Sequence, residues 1–183
     1  MTQRAARETG TVTLTEAGVL ALLATEGERS GYDLLKLCQK AIGQVWSPAR
    51  SRLYTVLPRL VELGYARVRH VSQERRPDKQ LYAITEEGRA VLDAWFEEVR
   101  PGDRAAAHLK LFVGGLSNDE TLIRQVEQLR SELAARLEEL REIEPTNTRT
   151  GHDRYHWFLL RLGIDEYELR LRWADWVLEE LRS

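Results

Sequence analysis

Apolar residues recur at helical spacing in seven blocks of this chain, interrupted once by a stretch of strand-like alternation. Leu14, Val19, Leu20, Leu22 and Leu23 form the first block, opened by Thr13 and Glu16, which are placed to make a capping box. After Gly27-Glu28-Arg29, Ser30 is a second N-cap, with Asp33 three residues on and Tyr32, Leu34, Leu35, Leu37, Cys38 and Ile42 as the apolar positions. The third block repeats Leu53, Val56, Leu57, Leu60 and Val61, with Ser47 expected as its cap, Pro48 at the first helical position and Gly64 just past its end. Pro58 falls inside this block, where it removes a donor and should bend or tighten the helix.

Alternation then takes over. Residues 66–73 and 80–84 read as two strands joined by the charged turn Glu74-Arg75-Arg76-Pro77-Asp78-Lys79. Thr85 caps a fourth helix carrying Val91, Leu92, Trp95 and Phe96. Arg100-Pro101-Gly102-Asp103 breaks the chain, and the domain boundary is expected there. Residues 1–12 read as an arm, 13–100 as one domain and 104–183 as another. Three short helices ahead of a hairpin are winged helix-turn-helix order, so the fold class expected is mainly α with a small β-hairpin.

The second domain is a short helical segment followed by two long helices. Leu122, Val126, Leu129, Leu133, Leu137 and Leu140 line the first, while Leu159, Leu162, Leu169, Trp173 and Trp176 line the second. Two antiparallel helices with such stripes expose more apolar surface than one hairpin can hide, so these residues are expected to pair two chains.

Charge sharpens the picture. The net charge is only −2 over 183 residues, yet residues 50–79 hold eight cationic and three acidic side chains. A basic island on a helix and hairpin in a mildly acidic chain is the footprint of a polyanion partner. The single cysteine excludes an intramolecular disulfide. No apolar run is long enough for a membrane span, and residues 1–10 lack the apolar core of a secretory signal, so a cytoplasmic protein is expected. His152 and His156 stand four apart, a spacing that can bind zinc, with His108 as a candidate third donor, but no glutamate stands between them in the His-Glu-x-x-His sense. No nucleophile elbow or phosphate-cradling loop is present, so neither an enzyme nor a resident metal or cofactor is expected.

The residues also carry a resemblance. Leu20-Ala21-Leu22-Leu23, Ser30-Gly31-Tyr32-Asp33-Leu34, Val45-Trp46-Ser47-Pro48, Gly64-Tyr65, and Tyr82-Ala83-Ile84-Thr85-Glu86-Glu87-Gly88 occur in an order that resembles PadR-family transcriptional regulators. Leu109-Lys110-Leu111-Phe112-Val113-Gly114-Gly115-Leu116 and Trp173 resemble the subgroup with a long helical C-terminal region, similar to the virulence activator AphA. The chain departs from the family in having Thr55 where a proline is usual, and Pro58 instead.

What the resemblance implies is a homodimeric regulator, a repressor in expectation, that binds a pseudo-palindromic double-stranded DNA operator and is open to release by a small effector. The third helix would enter the major groove and the wing would reach the backbone or minor groove. Arg50 and Arg52 are the expected base readers, since arginine donates bidentately to guanine. Ser47, Ser51, Tyr54, Thr55 and Arg59 would share that face. Arg75, Arg76 and Lys79 would hold phosphate or minor groove, and Ser30 and Tyr32 a phosphate at the start of the second helix. The tryptophans offer aromatic walls to an effector. A competing expectation makes the winged helix a scaffold and the long helices a docking surface for another protein.

Overall fold

A computed structural model of the chain describes residues 12–39, 46, 48–72, 79–146 and 148–183. The helices are α1 (Leu14–Glu26), α2 (Gly31–Leu37), α3 (Arg50–Glu62), α4 (Glu86–Glu97), α5 (Arg104–Phe112), α6 (Asp119–Ile143) and α7 (Asp153–Arg182). Between α3 and α4 lie the strands β1 (Ala66–Val71) and β2 (Lys79–Ile84). The chain separates into two compact units. One joins residues up to Glu98 with His108–Asn118, and the other joins Val99–Ala107 with Asp119–Ser183. The expected boundary at 100–103 is therefore crossed by a returning segment, 108–118, that belongs to the first unit.

In the first unit the helix starts follow the local chemistry. Thr13 and Glu16 close a full capping box on α1, and the Ser30 hydroxyl accepts from the Asp33 amide at the start of α2. Thr85 does the same for α4 by accepting from the Gly88 amide. Caps of this kind stabilise a helix by about 1 kcal/mol each. The start of α3 differs from expectation. Its N-cap is Ala49, without a side-chain cap, so Pro48 precedes the helix instead of opening it. Ser47 lies outside the described residues, as do Arg75 and Arg76. The helix continues through Pro58. It ends at Gly64, φ +76°, where the Gly64 amide donates to Val61 and the Tyr65 amide to Leu60. That paired arrangement is a Schellman ending, which requires the left-handed residue glycine supplies.

α1 packs on α3, α4 and β2, and α2 packs on α3 and β2. Val19, Leu20, Leu23, Leu34, Leu53, Leu57 and Leu60 are wholly buried between them. Each such side chain contributes about 1.5–3 kcal/mol of transfer free energy. β1 and β2 pair antiparallel with Ala66 opposite Ile84 and Val71 opposite Lys79. At the tip end β1 stops at Val71, short of the 73 that the alternation suggested, while β2 starts at Lys79, one residue earlier than expected. Arg29 adds a one-residue rung to the sheet, exchanging both backbone hydrogen bonds with Tyr82 at 3.0 and 2.8 Å. This bridge ties the segment before α2 to the wing, and nothing in the sequence pattern announced it.

The second unit is an antiparallel helical hairpin. Arg182 with Glu127, Arg130 with Asp175 and Arg141 with Glu168 pair across α6 and α7 in reverse order along the chain. These exposed pairs add little stability but show the register. The six α6 positions expected at a subunit seam are instead covered mostly within the single chain. Leu122, Val126, Leu129, Leu133 and Leu137 are buried within the single chain and Leu140 is half-buried, because α6 carries one apolar stripe and packs it along α7.

α7 carries two stripes. Ile164, Ala174 and Leu178 are buried, while Leu159, Leu162, Leu169 and Trp176 remain exposed, Leu159 to 70%. Tyr155 continues the exposed stripe toward the N-terminus, and Trp173 within it is half-buried. Positions 155, 159, 162, 169, 173 and 176 follow the 3.5-residue period of a coiled-coil seam.

Candidate nucleic-acid interface

α3 sorts its residues by face. Leu53, Val56, Leu57 and Leu60 anchor it in the core, and this leaves Arg50, Ser51, Arg52, Tyr54, Thr55 and Arg59 exposed. The Arg50 guanidinium lies over the Tyr54 ring, 5.6 Å from its centroid. Thr55 donates its hydroxyl to the Ser51 carbonyl at 2.9 Å, so that proton is occupied while the oxygen still accepts. Arg52 is exposed and has no ion-pair partner among the described residues. A guanidinium held only by its own stem on an exposed helix face is the group best placed to donate to an external acceptor.

α2 meets α3 closely at Gly31. A Cβ there would lie 3.1 Å from both Leu57 Cδ1 and Tyr54 Cε1, so a side chain at position 31 would push the helices apart. Tyr32 is exposed beside this contact, with the Lys36 ammonium 4.6 Å from its ring centroid. Lys36 was not among the expected site residues, since a single lysine on the polar side of a helix carries no pattern of its own.

Two expected contacts are already occupied within the protein. Ser30 is buried, accepts from the Asp33 amide and donates to the Asp33 carboxylate at 2.6 Å. A carboxylate thus sits at the start of α2, which disfavours the phosphate expected there. Arg59, expected on the outward face of α3, donates its Nε to Glu16 on α1 at 2.7 Å. Helical periodicity placed Arg59 outward correctly, but the partner is 43 residues away in sequence and invisible to it.

The wing root is also pinned by ions. Lys79 on β2 lies 3.0 Å from Asp33, and Arg69 on β1 grips Glu28. Hydrogen bonds from Ser30 and then Lys79 hold the Asp33 carboxyl below the usual carboxylate range. The hydrogen bond from Arg69 does the same for Glu28. Arg67, Arg69 and His70 are exposed along β1. Cys38 is fully buried, and burial pushes its thiol up to about 11, so it is a packed side chain and not a nucleophile. Two of the tryptophans expected as effector walls are packed away: Trp46 covers Gly18, and Trp95 stacks edge-on with Phe96.

Residues 19–94 match the Transcriptional regulator PadR-like family, and residues 104–182 match the Virulence activator alpha C-term domain. A probable transcriptional regulator of Mycobacterium tuberculosis is 31% identical over 175 residues, covering 86% of this chain and 93% of its own. The chain belongs to the PadR-like family of transcriptional regulators. The negative transcriptional regulator PadR of Bacillus subtilis is 26% identical over 170 residues, covering 87% of this chain and 93% of its own. The crystal structure of Bacillus subtilis PadR in complex with operator DNA matches with a TM-score of 0.47 at 21% identity, over 92% of this chain and 99% of that one. As a PadR-like regulator the protein is not an enzyme. No helix among its described residues is long and apolar enough to cross a membrane.

Proposed function

We propose that this PadR-like regulator is a repressor that binds a pseudo-palindromic operator as a homodimer, with α3 of each subunit in a major groove. The observation that carries the reading is the exposed face of α3, on which Arg50, Ser51, Arg52, Tyr54 and Thr55 stand together above a wholly buried apolar side. Arg52 and Arg50 are assigned to base edges, and Ser51, Tyr54 and Thr55 to phosphates. Lys79, Arg75 and Arg76 are assigned to the backbone or minor groove beside the wing. The relative named a negative regulator supports the sign of the effect.

The outer stripe of α7 supports the pairing of subunits, since Leu159, Leu162, Leu169 and Trp176 are exposed, without cover among the described residues. Two reading heads then face half-sites about one helical turn, ~34 Å, or a multiple of it apart. Release by a small effector belongs to the same proposal, with Trp157, Trp173 and Trp176 as the tryptophans that are not fully buried.

The test is retention of genomic fragments by the purified protein, followed by titration of the recovered duplex. Arg52→Ala should lose affinity and sequence preference together. Removing Arg75 and Arg76 should weaken all sequences alike and lower the salt slope by roughly 2. Unchanged preference in Arg52→Ala would refute reading by α3.

A further inference from the structure

We infer that Arg59 and Glu16 form a tether that sets the roll of α3, making both positioning residues for base reading and not contacts to DNA. The inference rests on the proposed reading of bases by α3 and adds to it the group that aims the readers.

The geometry is asymmetric. The Arg59 side chain is 50% exposed, while that of Glu16 is only 4% exposed. One carboxylate oxygen of Glu16 accepts from Arg59 Nε at 2.7 Å; the other accepts from the Thr13 amide at 2.7 Å and the Thr13 hydroxyl at 2.8 Å. The carboxylate is therefore fixed by the capping box of α1 before it meets Arg59. The more exposed partner is on α3, and the buried, capped partner is in the scaffold.

α3 needs such a fixture for three reasons. Its first turn has no side-chain cap to orient it. Pro58 cannot donate to the Tyr54 carbonyl, so the backbone ladder lacks a rung one residue before Arg59. Along its length it meets the core through Leu53, Val56, Leu57 and Leu60, whose apolar contacts have no preferred direction of their own. A roll of about 15° carries a guanidinium lying roughly 9 Å from the helix axis through about 2 Å, beyond what a hydrogen bond to a base edge tolerates. A directed charged hydrogen bond adds an angular constraint to the close-packed leucine face in resisting that roll.

Direct contact by Arg59 predicts different behaviour, which makes the two roles separable. Fluorescence anisotropy with the full chain would compare the recovered operator duplex with a scrambled duplex of equal length across a salt series. For a tether, Glu16→Gln and Arg59→Met each weaken operator binding roughly tenfold, and the double variant is no worse than either alone. The scrambled duplex and the salt slope do not change, and Arg59→Lys recovers most of the loss because its ammonium still reaches the carboxylate.

For a phosphate contact, Glu16→Gln binds as well as the parent or better, since Arg59 is freed. Arg59→Met then weakens both duplexes and lowers the slope by about 1, and either result overturns the tether. Urea unfolding of each variant reports folding, and if Glu16→Gln does not fold, the Arg59 variants carry the comparison. Arg52→Ala in the same series separates the claims. Selective loss at Arg52 without loss at Glu16 refutes the tether alone, whereas no loss at Arg52 refutes reading by α3 and the tether with it.

Discussion

Arg69 on β1 holds Glu28, the residue just before the Arg29 bridge, through two hydrogen bonds: its Nε donates to Oε1 at 3.2 Å and a terminal nitrogen to Oε2 at 2.5 Å. The bidentate fit neutralises a cation on the strand that leads to the wing tip. If the wing lies along phosphates, Glu28 competes with DNA for that guanidinium. Glu28→Gln should then strengthen binding to duplexes of any sequence and steepen the log–log salt slope by about 1. Titrations at several salt concentrations measure both quantities. An unchanged slope would place Arg69 away from the DNA.

Gly88, in the first turn of α4, is needed for room and not for an unusual backbone angle. A Cβ there would stand 2.0 Å from the Tyr65 carbonyl oxygen and 2.9 Å from Ile84 Cγ1. The carbonyl cannot step aside freely, because it accepts the Thr85 amide at 3.1 Å and so sets the entry into α4. Gly88→Ala should therefore cost at least the ~1–3 kcal/mol typical of overpacking, despite alanine's better helix propensity. Thermal unfolding compares the two. A variant as stable as the parent would mean that this junction yields.

Much of the head was legible because its signals are local. Thr13 with Glu16, Ser30 with Asp33, Thr85, and Gly64 each act within four residues, and each ends or starts a helix where the pattern placed it. The misses have distant or absent signals. Ser47 looked like a cap, yet α3 starts three residues later at Arg50, with Ala49 before it. Arg29 pairs with Tyr82 across 53 residues, and Arg59 with Glu16 across 43, which no periodicity reports. The candidate site was legible as a face but not as a set of partners. In α6 the apolar period was right and its partner was not, because a stripe looks the same whether its cover comes from the same chain or another.

The charged link between α1 and α3 also sets a pH dependence. Burial pushes the Glu16 carboxyl upward, but hydrogen bonds from the Thr13 amide and hydroxyl and the charge of Arg59 outweigh it, so its pKa is held below the ordinary 4.5. The folded form therefore binds the proton less readily than the unfolded chain. The stabilisation is fully present above the unfolded value and is lost as pH falls through the folded one. Urea midpoints of the parent and of Glu16→Gln should differ most near pH 7 and converge as pH drops below about 4. A gap that stays constant with pH would show that the ionised carboxylate contributes nothing.

α7 offers the sharpest contrast between cover inside and outside one chain. Leu133 on α6 is 3% exposed and Leu162 on α7 is 54% exposed, though both sit in apolar stripes of the same hairpin. Leu133→Asp places an unpaired carboxylate in a filled interior and should unfold the hairpin, a cost of several kcal/mol. Leu162→Asp adds a charge where the single chain already meets solvent, so the helical content should persist. If α7 forms the seam between subunits, that same change sets two carboxylates near each other across a symmetric interface. Sedimentation of the full chain at micromolar concentration should then show a folded monomer for Leu162→Asp and a dimer for the parent. Operator binding should weaken, because two half-sites are no longer engaged by one linked pair of heads. A Leu162→Asp protein that still sediments as a dimer would move the seam off this stripe.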